Sequence, residues 1–272
     1  GLHGKSFIPL IMGFGCNVPA IIASRTIENR KSRLITMLVN PLMSCSARLP
    51  IYLLLVGAFF PNNASLVLLS IYVIGIVLAV VMARLFSKFL IKGDDTPFVM
   101  ELPVYHWPTV RNLFRSMWER ASSFIKKAGT VILLSSILIW AGSCFGFVDG
   151  AFAFRTDMEL ESSVLGILGG AVSWLFAPLG FGNVKATIAT IMGLVAKEEV
   201  VGVFGVLDFE GMTQLAAYSF LIFNLLCAPC FAAMGAIKRE MNSAKWTAFA
   251  IGYQCVFAYA ISLMVFQIGS VF

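Results

Sequence analysis

The sequence predicts an all-α, multi-pass membrane protein assembled from two related halves with broken, re-entrant helices. Three observations carry that reading. The 272 residues are 59% hydrophobic and only 12% charged, with mean hydropathy +0.88, whereas a soluble domain carries about 25% charged residues. Charge-free stretches at 64–83, 131–148 and 246–272 match the ~20 apolar residues that span a bilayer. Third, Gly13-Phe14-Gly15-Cys16-Asn17-Val18 recurs without its cysteine as Gly180-Phe181-Gly182-Asn183-Val184. With one gap at Cys16 the match continues through Ala20/Ala186, Ile22/Ile188 and Ala23/Ala189 to Ser24/Thr190. Gly and Asn free backbone groups that lipid cannot satisfy, so such a break persists only inside protein or beside a water-filled cavity. A duplicated break at membrane depth points to a transporter built around a central site; two glycine kinks that only permit close helix packing are the plainer alternative.

Charge placement orients the spans. The net charge of +6 is confined to clusters between apolar segments, so it implies no nucleic-acid partner and instead marks the cytoplasmic side. The clusters are Arg25, Arg30, Lys31 and Arg33; Arg84, Lys88 and Lys92; Arg111, Arg115, Arg120, Lys126 and Lys127; and Lys238, Arg239 and Lys245. The loops at 61–63, 148–163 and 207–213 are neutral or acidic and belong outside. No secretory leader is visible in residues 1–24, and the chain starts inside the motif, which reads as a piece of a longer polypeptide.

Taken in order, residues 34–60 leave the cytoplasm with Pro41 and Pro50 interrupting the helix, and 64–90 return. Residues 98–127 are proline-punctuated and then amphipathic, with Val110, Phe114, Met117, Trp118 and Phe124 among Arg and Lys. That pattern suits a helix on the cytoplasmic leaflet or a docked helix in a soluble loop. Residues 128–148 cross outward, 213–237 come back and 245–270 cross again. The motif segments 5–24 and 163–206 then have both ends on one side each, and opposite sides from one another. Each is expected to be a re-entrant hairpin with Gly-Phe-Gly at its tip, together an inverted repeat, although 184–206 is also long enough for a full span. The expected units are 1–60, the remainder of the first repeat; 61–127, a span with the cytoplasmic segment; and 128–272, a span with the second repeat and a last helix.

Each motif is followed by a span broken at Asn and Pro with cysteine nearby: Asn40-Pro41-Leu42-Met43-Ser44-Cys45, and Asn224-Leu225-Leu226-Cys227-Ala228-Pro229-Cys230. Proline removes a donor and releases the carbonyl one turn earlier. Freed carbonyls, Asn oxygen and thiolate together make a coordinating set, and thiolate selects transition metals over the all-oxygen ions. The candidates are Cys16, Cys45 and Cys230 as thiol donors, Asn17 and Asn183 shaping the tips, and Asn224 completing the second side. Cys144 and Cys255, in unbroken apolar runs, read as small buried hydrophobes. Cys227-x-x-Cys230 has redox or zinc spacing but neither a βαβ setting nor a second ligand pair. Neither histidine, His3 or His106, is well placed. Arg48 sits mid-span, where a lone cation is costly, and Lys197, Glu198 and Glu199 interrupt an apolar arm. A structural pair between Arg48 and Glu198 or Glu199 is the plainer reading; a role beside a cysteine or in ion passage is the functional one.

Gly13-Phe-Gly-Cys-Asn-Val-Pro-Ala20 with Asn40-Pro-Leu-Met-Ser-Cys-Ser-Ala-Arg-Leu-Pro50 closely resembles the FeoB family of ferrous iron transporters. Pro178 to Gly182, Ala196-Lys-Glu198 and Pro229-Cys230 resemble that family's second gate. The resemblance spans essentially the whole chain. It implies Fe(II) uptake across a bacterial inner membrane, with Cys16 and Cys45 on the metal path and a gate architecture similar to concentrative nucleoside transporters. It further implies a cytoplasmic GTP-binding domain using GTP and Mg2+, a small accessory protein and a homo-oligomer. No G-x-x-x-x-G-K-[ST] phosphate loop occurs in these residues, so the chain itself is not expected to be a GTPase or to carry a cofactor. Transport of Mn(II) or Zn(II), a nucleoside carrier, an intramembrane hydrolase and a non-transporting scaffold are the rival readings. The hydrolase reading lacks H-E-x-x-H and G-x-S-x-G.

Overall fold

A computed structural model describes residues 4–91, parts of 109–137, residues 145–148, 151–154, 164–206 and 212–271. Its helices are α1 (Phe7–Gly15), α2 (Asn17–Ala23), α3 (Arg30–Val39), α4 (Leu49–Phe59), α5 (Ala64–Leu85), α6 (Val164–Phe176), α7 (Val184–Val195), α8 (Glu199–Val206), α9 (Gln214–Leu226), α10 (Phe231–Met241) and α11 (Ala244–Val271). Strands β1 (Phe145–Val148) and β2 (Ala151–Phe154) form an antiparallel hairpin. The expected outward helix at 128–148 lies mostly outside the described residues, and its last four residues are β1 rather than helix.

Four stretches among the described residues are long and apolar enough to cross a membrane: Arg30–Phe59, Ala64–Leu90, Gln214–Met241 and Ala244–Val271. They match the expected spans, and the chain is an all-α polytopic membrane protein apart from the hairpin. Two of the four are broken. Pro41 opens a 3-10 turn, Asn40–Leu42, at the end of α3, and Pro50 lies in the first turn of α4. Both prolines thus begin a new segment, where the missing N–H costs nothing. Between α9 and α10 the break is Cys227 to Cys230.

Packing follows the membrane rule that small residues let backbones approach. The inner face of α5 is Ile71, Gly75, Ala79 and Ala83, while Leu66, Leu69, Val73, Val77 and Val80 are exposed where lipid would lie. A Cβ on Gly75 would stand 3.1 Å from the Leu42 carbonyl and 3.3 Å from Leu225 Cδ1, so this face closes directly onto both broken spans. α9 and α11 are joined by Ser219 and Ser262, whose hydroxyls are 2.8 Å apart and wholly buried.

The last helix also serves the first break. The Leu38 carbonyl accepts from the Tyr253 hydroxyl and from Gln254 Nε2, the latter at 3.3 Å. On the basic side, Arg25 Nε donates to Glu240 Oε2 at 2.5 Å and Lys5 pairs with Glu28 at 3.2 Å. The Glu240 carboxylate holds the Arg25 guanidinium above its ordinary range. This pair places the segment after α2 and the end of α10 on one side, as the charge pattern requires. In the amphipathic segment, residues 110–115 are helical, Val110, Phe114, Met117 and Trp118 are exposed, and Arg115 pairs with Glu119 at 3.0 Å.

Candidate functional site

The breaks of four helical segments come together. In the first half α1 and α2 are separated by the single residue Cys16, extended at φ −151°, ψ 130°. In the second half α7 ends at Ala196 with nearly the same backbone, φ −144°, ψ 132°, and the chain turns through Lys197 and Glu198 into α8. α2 and α10 pack together, as do α4 and α8, and the Asn40–Leu42 turn lies against α1, α2, α5 and α9. Cys45, Cys230 and Glu198 are the ionisable neighbours of Cys16. Lys197 has Cys227, Arg48, Cys45 and Cys230 around it.

The two Gly-Phe-Gly motifs differ in where the chain turns. Gly13 to Gly15 remain helical, and the helix yields one residue later at Cys16. Gly180 instead takes a left-handed φ of 86° and Phe181 packs on Phe176, Phe220 and Phe223, so Gly180 to Gly182 form the turn between α6 and α7, which are bent by 101°. Asn183 and Ala196 flank α7, which puts them about 20 Å apart at 1.5 Å per residue. Asn183 caps α7, its side-chain oxygen accepting from the Ala186 N–H at 2.8 Å. The structure therefore brings Cys16, Cys45, Cys230, Arg48, Lys197 and Glu198 within electrostatic reach of one another, with Asn17 next to Cys16 in the chain; Asn224 lies beside Gly193 of α7, and Asn183 is left at the far end of that helix.

The three gathered cysteines share a local position, each the residue just before a helical segment: Cys16 before α2, Cys45 before the 3-10 turn Ser46–Arg48, and Cys230 before α10. Cys45 is buried and the other two are half-buried. Ser46 Oγ donates to the Gly15 carbonyl at 2.6 Å, which ties the first tip to the first broken span. Among the described residues no three Cys, His, Asp or Glu side chains stand close enough together to hold a metal ion. The thiols lie within electrostatic reach of one another and are not drawn into one ligand set.

Arg48 is fully buried. Its Nη1 donates to the carbonyls of Pro41 at 3.1 Å and Met43 at 3.0 Å, while Nε and Nη2 have no partner. The expected pair with Glu198 is not formed: Glu198 is exposed, and the Glu199 side chain lies outside the described residues. A broken helix frees carbonyl oxygens at short range, and a planar guanidinium with five donors satisfies two of them at once. Lys197, 2% exposed, also has no carboxylate at ion-pair distance among the described residues. Asn224 is buried with Nδ2 donating to the Phe220 carbonyl at 3.1 Å. The sequence carries no signal that the Cys227 and Cys255 thiols face each other.

Comparison with known proteins accords with this geometry. A family model described as "Nucleoside recognition", the gate module, matches residues 1–59 and 125–244, and one described as "Ferrous iron transport protein B C terminus" matches residues 68–120. A Staphylococcus aureus (strain COL) relative named "Fe(2+) transporter FeoB" is 43% identical over 283 residues, covering 100% of this chain and 42% of the relative. A Methanocaldococcus jannaschii relative of the same name is 40% identical, covering 99% and 42%. A Porphyromonas gingivalis relative named "Fe(2+) transport protein A/Fe(2+) transporter FeoB fusion protein" is 42% identical, covering 100% and 38%. No solved structure matches the chain. The chain thus spans about two-fifths of the length of these relatives, and it is a multi-pass protein of the bacterial inner membrane. With the gate model on both halves and the ferrous iron transport model between them, the chain belongs to the FeoB family, of which it is the membrane part.

Proposed function

We propose that this chain forms the membrane pathway of a ferrous iron transporter, with Fe(II) as the substrate passing between the two broken halves. The observation that carries the reading is that Cys16, Cys45 and Cys230 lie within electrostatic reach of one another, each at the start of a different helical segment. Thiolate and amide donors together suit a first-row divalent ion. Separated rather than clustered donors suit an ion that must also leave, since conduction needs sites loose enough to release. Cys16, Cys45 and Cys230 supply thiols, Asn17 and Asn224 supply amides, and Asn183 sets the start of α7. Arg48 holds the first broken span through its carbonyls. Lys197 and Glu198 form the turn that faces Cys16. In the longer relatives a GTP-binding domain, with GTP and Mg2+, is proposed to control this path from the cytoplasmic side. The name of the Porphyromonas gingivalis relative supports a small accessory protein as a partner.

The gate model's description favours one second reading, a nucleoside carrier. It would need groups for base and ribose at the tips, where this chain offers glycine and cysteine. The test is anaerobic Fe(II) uptake by the full-length protein in vesicles, with Mn(II), Zn(II) and uridine as competitors. Cys16→Ser with Cys45→Ser at matched expression is expected to lower uptake at least ~10-fold, the effect of losing about 1.4 kcal/mol at the limiting site. Unchanged uptake in the double variant would remove the thiols from the path, and competition by uridine in place of metals would favour the carrier.

A further inference from the structure

We infer that Asn40 is a metal-holding residue of the first half, its amide oxygen forming with that of Asn17 a hard-donor station beside the thiols. The inference rests on the transport reading above and adds to it a specific oxygen site. Asn40 is fully buried, and neither its Oδ1 nor its Nδ2 has a hydrogen-bond partner. Asn17 is 4% exposed and its Oδ1 is also without a partner. Buried amides without partners are rare because each forfeits the hydrogen bonds it makes in water. Here two occur on segments that pack together, the Asn40–Leu42 turn and α2. Asn17 directly follows Cys16 in the chain, and Asn40 lies five residues before Cys45, on the other side of the break.

The fold makes room for this amide. Asn40 lies against α1 at Gly13, where an added Cβ would overlap Asn40 Oδ1 and come within 3.3 Å of Met43 Cβ. Glycine at position 13 lets the side chain keep this position, whereas a larger residue would require Asn40 to shift. The other asparagines of the breaks are occupied. Asn224 donates to the Phe220 carbonyl, and Asn29 and Asn183 accept from the first turns of α3 and α7. An uncharged amide oxygen binds a divalent ion without trapping it, and with a neighbouring thiolate it gives the mixed donor set that first-row ions accept.

Replacement of both polar atoms by an apolar group of similar shape is near neutral for folding, which separates function from packing. In full-length protein, purified anaerobically, Asn40→Leu is expected to unfold at a temperature equal to or above that of the unsubstituted protein. Its Co(II) affinity, read from visible absorbance, and its Fe(II) uptake are each expected to fall at least ~10-fold, a loss of about 1.4 kcal/mol. Asn40→Asp keeps the shape and adds charge, so it is expected to bind Co(II) more tightly and release Fe(II) more slowly. Asn40→Leu with unchanged Co(II) binding and uptake would reduce Asn40 to a packing amide or a water ligand. If Asn40→Leu does not fold, an Asn40→Asp affinity equal to that of the unsubstituted protein overturns the inference. An unsubstituted protein that neither binds Co(II) nor takes up Fe(II) would overturn the transport reading itself, and this site with it.

Discussion

Leucine at position 75 tests how tightly the small face of α5 closes on the broken spans. An alanine Cβ there would lie 3.1 Å from the Leu42 carbonyl oxygen and 3.3 Å from Leu225 Cδ1, so neighbours must give way by a few tenths of an ångström. Overpacking of this kind costs about 1–3 kcal/mol, and the gain in helix propensity over glycine returns about 1 kcal/mol. Gly75→Ala is therefore expected to be neutral to about 2 kcal/mol destabilising. Leucine adds three more carbons in the same joint, and about 3 kcal/mol or more is expected. At 2–4 °C per kcal/mol for a chain of this size, Tm falls by roughly 6–12 °C. The assay is thermal unfolding of the full-length protein in detergent, followed by size-exclusion fluorescence. Gly57 and Gly252 are internal controls, because nothing lies within 4 Å of a Cβ at either. Equal Tm values for Gly75→Leu and Gly252→Leu would refute the close approach of α5 to the breaks.

Two further outcomes follow from single contacts. Gly180→Ala combines a left-handed φ with overlap of the Phe266 ring; a loss of about 2–4 kcal/mol is expected from strain plus crowding. In a Phe266→Leu background the crowding share should shrink while about 1–2 kcal/mol of backbone strain remains, which a double-mutant cycle measures. Asn183→Ala is expected to cost about 1 kcal/mol as a lost cap, with Asp restoring it. Co(II) affinity should be unaffected; a fall in affinity at unchanged Tm would return Asn183 to the metal path.

The spans were legible because lipid imposes one rule along the whole chain: apolar residues run without charge from Ala64 to Ala83 and from Trp246 onward. The proline-marked breaks at Pro41 and Pro229 were legible for the same reason, since proline lacks a donor. The break at Ala196 was not, because Val195 and Ala196 continue a helix by propensity. Its only signal was Lys197 and Glu198 inside an apolar arm. Repetition of Gly-Phe-Gly suggested two equal tips, yet glycine permits a turn without requiring one: Gly180 takes it and Gly13 stays helical. Charge alone pairs Arg48 with a distant carboxylate, whereas carbonyls five and seven residues away hold it. Asn40 was visible as part of a motif, but its lack of any partner is a property of the packed interior.

The contacts of Tyr253 and Gln254 with the Leu38 carbonyl also bear on how the protein is made. About 215 residues separate acceptor from donors; at ~5–20 residues per second of synthesis, roughly 10–40 s pass between their emergence. Throughout that interval Leu38 has reached the bilayer while the side chains that complete it are still untranslated. Water or the insertion machinery must shelter the opened backbone until α11 arrives. Biogenesis of this protein is thus a waiting problem, in which one segment enters the membrane unfinished and another, made about 215 residues later, completes it.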